Sequence, residues 1–378
     1  MAQDYRPELL LPVSDQLEIR YLSRLFDNMS ECYKLFWFQA ILELSAQGQS
    51  ELVFDDLINE MIASAWYMVS EYRLNLGPRD TLEMLVSYVF EDSGLKSSAK
   101  RTEILRFLRE CRDPDLQRRK QKLSLNVPYR LQAPFLRNMH TDDWKTAQKL
   151  LVQRINQEQR LIYYFLSFNG LQSRIRLDPR WQDYFHANQE ILRGWINYHM
   201  VEYLQRRNPN VPGIIDKLAP PQERKLTKVI AFWKMVAAVG PVRDIYAQSL
   251  ITEKDISIDH FVPWSYVAND EFWNLSPTTK SINSSKSNSL PGWELYFPRL
   301  CSLEYESRLA VQQYPAIRQQ FEKCEREHVN SAEVQRKLYS GELEPSVFAG
   351  RLREILLPVY NSAKNMGFKE WIYERQDA

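Results

Sequence analysis

Asp259 and His260 stand side by side in Ser257-Ile-Asp-His-Phe-Val-Pro-Trp264, followed by Trp273-Asn-Leu and then Ser281-Ile-Asn-Ser-Ser-Lys-Ser-Asn288. A carboxylate and an amide oxygen can hold one hard divalent cation. An imidazole, whose ordinary pKa lies near neutral pH, can take a proton from water beside it. That combination is the minimum equipment for hydrolysing a phosphodiester. Each element alone is unremarkable: Asp-His on a strand reads as a structural pair, Asn274 as a turn residue, and the Ser/Asn-rich run 281–289 as a linker. Only their order and spacing together point to chemistry.

The elements that must position these groups follow from the pattern. Ile256-Ser-Ile-Asp-His-Phe-Val262 alternates apolar with polar and predicts a strand. Asp259 and His260 would then face opposite sides, and a bend before Pro263 would bring both to one site. Asn269-Asp270 reads as a loop pair. Pro277 to Ser289 reads as a short helix on which Asn283 and Ser287 share a face, with Lys286 on the adjoining turn.

Strand, loop and helix in this order resemble the ββα-metal core of HNH endonucleases. The positions that carry the resemblance are Asp259-His260, Asn274-Leu275 and Asn283, with nine residues from Asn274 to Asn283. The run Asn283-Ser-Ser-Lys-Ser-Asn288 and the Asp259-His260-Phe-Val-Pro segment are similar to the HNH domain of RNA-guided CRISPR effector nucleases. The resemblance covers roughly residues 228–295. It implies that His260 is the general base and that Asn274 holds the loop so that His260 points at its water. It also implies that Lys286 contacts the phosphate or the transition state, and that Asp259 and Asn283 ligate one divalent ion, Mg²⁺ or Mn²⁺. The chain departs from the family pattern in having Asn283 and Ser287 where many members carry further His ligands. It also has Arg243-Asp-Ile-Tyr-Ala where many carry a first Cys-x-x-Cys. Packing must then stabilise the core, with Trp233, Phe261, Trp264, Phe272 and Trp273 as candidates.

The remaining composition sets bounds. The chain has 378 residues, 44% hydrophobic, with 49 basic and 48 acidic side chains, which predicts a globular protein of two or three domains. Charge is segregated: residues 1–60 hold 4 basic and 11 acidic side chains, and residues 95–160 hold 16 basic and 7 acidic ones. The basic stretch could follow a phosphate backbone or form a solvated helix face. Four scattered cysteines, Cys32, Cys111, Cys301 and Cys324, argue against a zinc site or a disulfide framework. No membrane span or leader pattern is evident, and a cytoplasmic location is expected.

The expected fold is mainly α with a small α+β part. Residues 1–222 form a mainly helical DNA- or partner-binding domain, with a hairpin near 161–177 around Asn169-Gly170. Residues 223–300 form the ββα-metal core, and residues 301–378 a helical extension packed on the rest. Helices are predicted from Ser14 to about Glu43 and over 52–75, 80–92, 98–111, about 143–159 (opened by Thr141-Asp142-Asp143) and 179–206. Residues 118–122 read as a surface connection, and the segments around Pro128 and Pro134 as extended. The expected function is a metal-dependent endonuclease acting on DNA in a bacterial defence, restriction or mobile-element setting, with a protein or ribonucleoprotein partner choosing the target or the chain acting as a homo-oligomer. The competing reading is an inactive HNH-like subunit that binds nucleic acid or assembles with a larger complex.

Overall fold

In a computed structural model, which describes residues 11–27, 29–136, 139, 143–221 and 224–374, the chain is mainly helical with a small β part. It divides into two compact units. One runs to Pro209 and takes in Leu218–Pro220; the other comprises Asn210–Lys217 and the chain from Pro221 on.

The first unit is built around α1 (Tyr33–Ala46), whose Phe36, Trp37 and Phe38 are all fully buried. A short strand, β1 (Glu51–Val53), leads into α2 (Phe54–Trp66), which continues as a wider turn through Tyr67–Glu71. Next comes α3 (Thr81–Ser93), capped by Asp80, whose Oδ1 accepts from the Glu83 N–H at 2.9 Å. It is followed by α4 (Arg101–Glu110), α5 (Pro114–Leu123) and α6 (Gln148–Ile155). Strands β2 (Tyr163–Ser167) and β3 (Arg174–Leu177) form an antiparallel hairpin that β1 extends in the order β1-β3-β2. Leu52, Ile175 and Phe165 stand in register and are buried, giving the sheet one apolar face. Asp178 then caps α7 (Pro179–Ala187), and α8 (Gln189–Arg207) completes the unit.

Several expectations are corrected here. The helix read from Ser14 to Glu43 is only Ile19–Leu22 and α1. Between them Leu25 and Phe26 turn inward, Phe26 stacking on Trp195 at 4.6 Å, so tertiary burial overrides helical propensity. The helix read over 52–75 gives its first residues to β1, because the Phe54 N–H bonds the Ser173 carbonyl across the sheet. The supposed connection at 118–122 lies inside α5, where Pro114 occupies the first turn and Asp113 accepts from the Leu116 N–H. The stretches around Pro128 and Pro134 are short helical turns, Val127–Arg130 and Ala133–Phe135, with each proline in a first turn where no N–H is needed. The helix from Asp178 breaks at Asn188, whose amide bonds back to the Tyr184 carbonyl. Thr141 and Asp142 lie outside the described residues, and the helix assigned to them starts only at Gln148.

In the second unit α9 (Thr227–Val239) places Phe232 edge-on to Phe272 at 5.1 Å, and Phe272 edge-on to Phe321 at 5.3 Å. Strands β4 (Ser257–His260) and β5 (Leu275–Thr278) pair antiparallel, with Asp259 opposite Ser276 and His260 opposite Leu275. They lead to α10 (Lys280–Lys286), capped by Thr279. A two-residue strand, β6 (Leu290–Pro291), precedes α11 (Trp293–Gln313), α12 (Pro315–His328) and α13 (Pro345–Asn365); β6 pairs in parallel with β7 (Glu370–Trp371). The C-terminal stretch is therefore bonded into the strand-and-helix core: Trp371 packs edge-on to Tyr246 at 5.2 Å, and the Tyr360 hydroxyl donates to the Pro291 carbonyl. Trp233, Phe261, Phe272 and Trp273 are buried as expected, whereas Trp264 is half-buried. The four cysteines are free thiols, and no described helix is long and apolar enough to cross a membrane.

Candidate active site

The strand β4 ends in Asp259 and His260, and α10 returns directly over it. Asn283 fixes the docking: its Nδ2 donates to the Ile258 carbonyl and to Ser257 Oγ, both at 2.9 Å. Because the carbonyl can only accept, this bond sets which end of the amide carries the NH₂. Oδ1 is left accepting no hydrogen bond among the described residues. One turn on, the fully buried Lys286 ammonium donates to the His260 carbonyl at 2.7 Å and lies 3.1 Å from both Asp259 carboxylate oxygens. The Tyr246 hydroxyl donates to Asp259 Oδ2 at 2.5 Å. Burial pushes the Tyr246 hydroxyl well above its ordinary pKa, and the Asp259 charge adds to the shift. Burial also lowers the Lys286 pKa, against the pull of Asp259.

Asn274 is fully buried and clamps the bend that follows β4. Its Oδ1 accepts from the Val262 N–H at 2.8 Å, its Nδ2 donates to the Val262 carbonyl at 2.9 Å, and its own carbonyl accepts from the Phe261 N–H. The strand therefore turns out of the sheet immediately after His260. That is the bend Pro263 had suggested, held by a side chain nine residues before Asn283.

His260 is buried, and its Nε2 lies 2.8 Å from Asp270 Oδ1. Burial outweighs other effects and lowers the imidazole pKa; the Asp270 bond opposes the shift and the Arg224 charge reinforces it. Asp270 is affected in the opposite sense. Burial would raise its carboxyl, but the His260 bond and the neighbouring positive charges win, and its pKa lies below the usual range. An ionised carboxylate can only accept, so Nε2 carries the hydrogen and Nδ1 is the basic nitrogen. Asp270 is itself held from behind: its carbonyl lies 3.0 Å from His328 Nδ1 at the end of α12, and the neighbouring Glu271 carboxylate accepts from the Asn330 N–H.

Arg224 completes the cluster. Its Nη1 is 3.1 Å from His260 Nδ1 and 3.3 Å from Nε2, and 3.8 Å from Asp270 Oδ1. The guanidinium also lies over the Trp264 ring, 5.1 Å from its centre. Near-equal distances to the two imidazole nitrogens mean that Nη1 is not on the in-plane lone-pair axis of Nδ1, since a bond there would leave Nε2 much farther away.

Of the residues named from sequence, Asp259, His260, Asn283 and Lys286 meet around one strand end, and Asn274 supports them from the main chain. Lys286 does not stand where a phosphate contact was expected: it is an internal counter-ion to Asp259, with no exposed surface. The donor chemistry suits a hard cation. Asp259 offers carboxylate oxygens, each with a second lone pair beside its hydrogen bond, and Asn283 an uncommitted amide oxygen. Among the described residues no cluster of three or more His, Cys, Asp or Glu side chains could hold a metal. Such an ion would therefore rest on these two groups and on water. Sequence reading missed Tyr246, Asp270 and Arg224. In sequence Asp270 reads as an ordinary loop residue, and Arg224 lies just before α9 with no motif around it. Only Tyr246 carries a signal, as part of the segment that stands where many HNH sequences have a Cys-x-x-Cys.

The family model for HNH endonucleases matches residues 243–292. The span includes Tyr246, Asp259, His260, Asp270, Asn274, Asn283 and Lys286 but not Arg224. It indicates nuclease-type chemistry for this part of the chain. No curated protein and no solved structure matches the chain.

Proposed function

We propose that this chain is an endonuclease that hydrolyses phosphodiester bonds of DNA with the help of one divalent ion, Mg²⁺ or Mn²⁺. The observation that supports it most is the return of α10 onto β4, which gathers Asp259, His260 and Asn283 within the matched span. Asp259 and Asn283 would hold the ion, which when bound supplies a positive charge to the phosphate oxygens as negative charge builds on them. His260 takes a proton from water at Nδ1 while Asp270 keeps Nε2 protonated and the ring oriented. The water oxygen bonds to phosphorus, the bond to the 3′-oxygen breaks, and that oxygen is protonated by solvent. Asn274 keeps the main chain bent directly after His260, so that the imidazole at the end of the strand stays beside Asp259.

The narrower likeness to RNA-guided effector nucleases belongs to the same proposal and rests on residues 259–263 and 283–288. So do a defence, restriction or mobile-element setting, target choice by a protein or ribonucleoprotein partner, homo-oligomerisation and a cytoplasmic location. Purified chain incubated with plasmid and Mg²⁺ or Mn²⁺ should nick or cut it, and His260→Ala should not. Equal cutting by His260→Ala would overturn the reading.

One observation favours a second reading. Both Asp259 oxygens already face the Lys286 ammonium, and one also takes the Tyr246 hydroxyl, so an internal cation neutralises the carboxylate. A core stabilised in this way could grip nucleic acid or a partner without cutting. Mn²⁺ titration separates the two. The nuclease reading expects a rise in melting temperature that disappears in Asp259→Asn and Asn283→Ala; the second expects no rise in any of them.

A further inference from the structure

With Lys286 sealed inside, the positive charge beside His260 comes from Arg224, and we propose that Arg224 is the residue that grips the substrate phosphate at this site. This assignment rests on the nuclease reading above.

The geometry carries it. Arg224 is part-exposed, with 35% of its side-chain surface accessible, whereas the side chain of Lys286 is wholly enclosed. Its Nη1 lies within 3.3 Å of both imidazole nitrogens, so anything bound to the guanidinium is next to the base. Trp264 supports the guanidinium from the ring side, and Asp270 attracts it at 3.8 Å. A guanidinium presents five donors in a plane and matches two oxygens of a phosphate at once, which an ammonium cannot. The half-buried Trp264 is then the platform of this arginine rather than a core residue. The same pair of contacts explains how a residue from the connection before α9 is brought to the strand end.

The test uses the full chain with a fluorescent duplex oligonucleotide. In EDTA, binding is followed across a salt series; Arg224→Gln should lower the slope of log K against log salt by about 0.9, the share of one phosphate. With Mg²⁺ or Mn²⁺, Arg224→Gln should lose about 100-fold in kcat/KM, and Arg224→Lys should recover part of it. Melting temperatures of both variants should stay close to that of the parent chain. If Arg224→Gln keeps the parent slope, or cuts as well as the parent while His260→Ala is inactive, the assignment is wrong and the nuclease reading stands. If the parent chain cuts neither DNA nor RNA with either ion, both fall together.

Discussion

Lys286 shows how far a motif position can drift from the role its type suggests. An ammonium with no exposed surface, bonded to a carboxylate with 4% of its side chain exposed, is a pair taken wholly out of water. Removing one partner leaves the other charge buried and uncompensated, which costs about 3–5 kcal/mol. Lys286→Met should therefore melt far below the parent chain, and Asp259→Asn combined with Lys286→Met should recover most of the loss. If Lys286→Met alone is as stable as the double variant, the pair is not coupled as described. The residues that were legible from sequence are those a local spacing rule can reach: Asp259-His260, Asn274 and Asn283 sit at fixed intervals within one short segment. Asp270 and Arg224 were not legible because their importance comes from a fold contact with His260. An aspartate in a loop and an arginine just ahead of a helix carry no mark of that contact.

At the scale of elements, α11 carries a different kind of buried charge. Glu304 has 2% of its surface exposed, and its Oε1 has no hydrogen-bond partner among the described residues. Burial pushes its carboxyl well above the ordinary value of 4.5, so the folded chain keeps a proton that the unfolded chain releases. This group's contribution to stability is complete below pH 4.5 and is lost as pH rises toward the raised folded-state value. The loss is about 1.4 kcal/mol for each pH unit in which only the folded form holds the proton. Glu304→Gln keeps the shape without the titration. Denaturant unfolding should find it more stable than the parent chain at pH 8 and about equal at pH 4; an equal difference at both would show that the proton is absent. Elements were legible where capping and periodicity agreed, as in α3 behind Asp80 and in the β2–β3 hairpin. They were misread where prolines at first-turn positions looked like breakers, and where Leu25 and Phe26 left a helical pattern to reach Trp195.

Over the whole molecule, the separation of acidic and basic stretches has a partly internal explanation. Lys120 is buried on Asp55, Arg101 pairs with Glu60, and Arg160 pairs with Glu18, each joining the basic 95–160 segment to the acidic first sixty residues. Arg118 and Arg154 are matched within the segment, by Asp115 and Asp143. A count of sixteen basic residues therefore overstates what the segment offers a nucleic acid, and the opposite charges along the sequence serve the first unit's own packing. Lys122 on α5 and Lys149 on α6 are exposed and remain candidates for phosphate contacts. If the segment follows DNA, Lys122→Gln and Lys149→Gln should each reduce the salt slope of duplex binding by about 0.9 with little change in melting temperature. Lys120→Gln should do the reverse, lowering the melting temperature by loosening α5 from α2 and leaving the slope unchanged. A slope unmoved by both exposed substitutions would assign the segment to folding alone. Nucleic-acid binding would then have to come from the unit that carries His260.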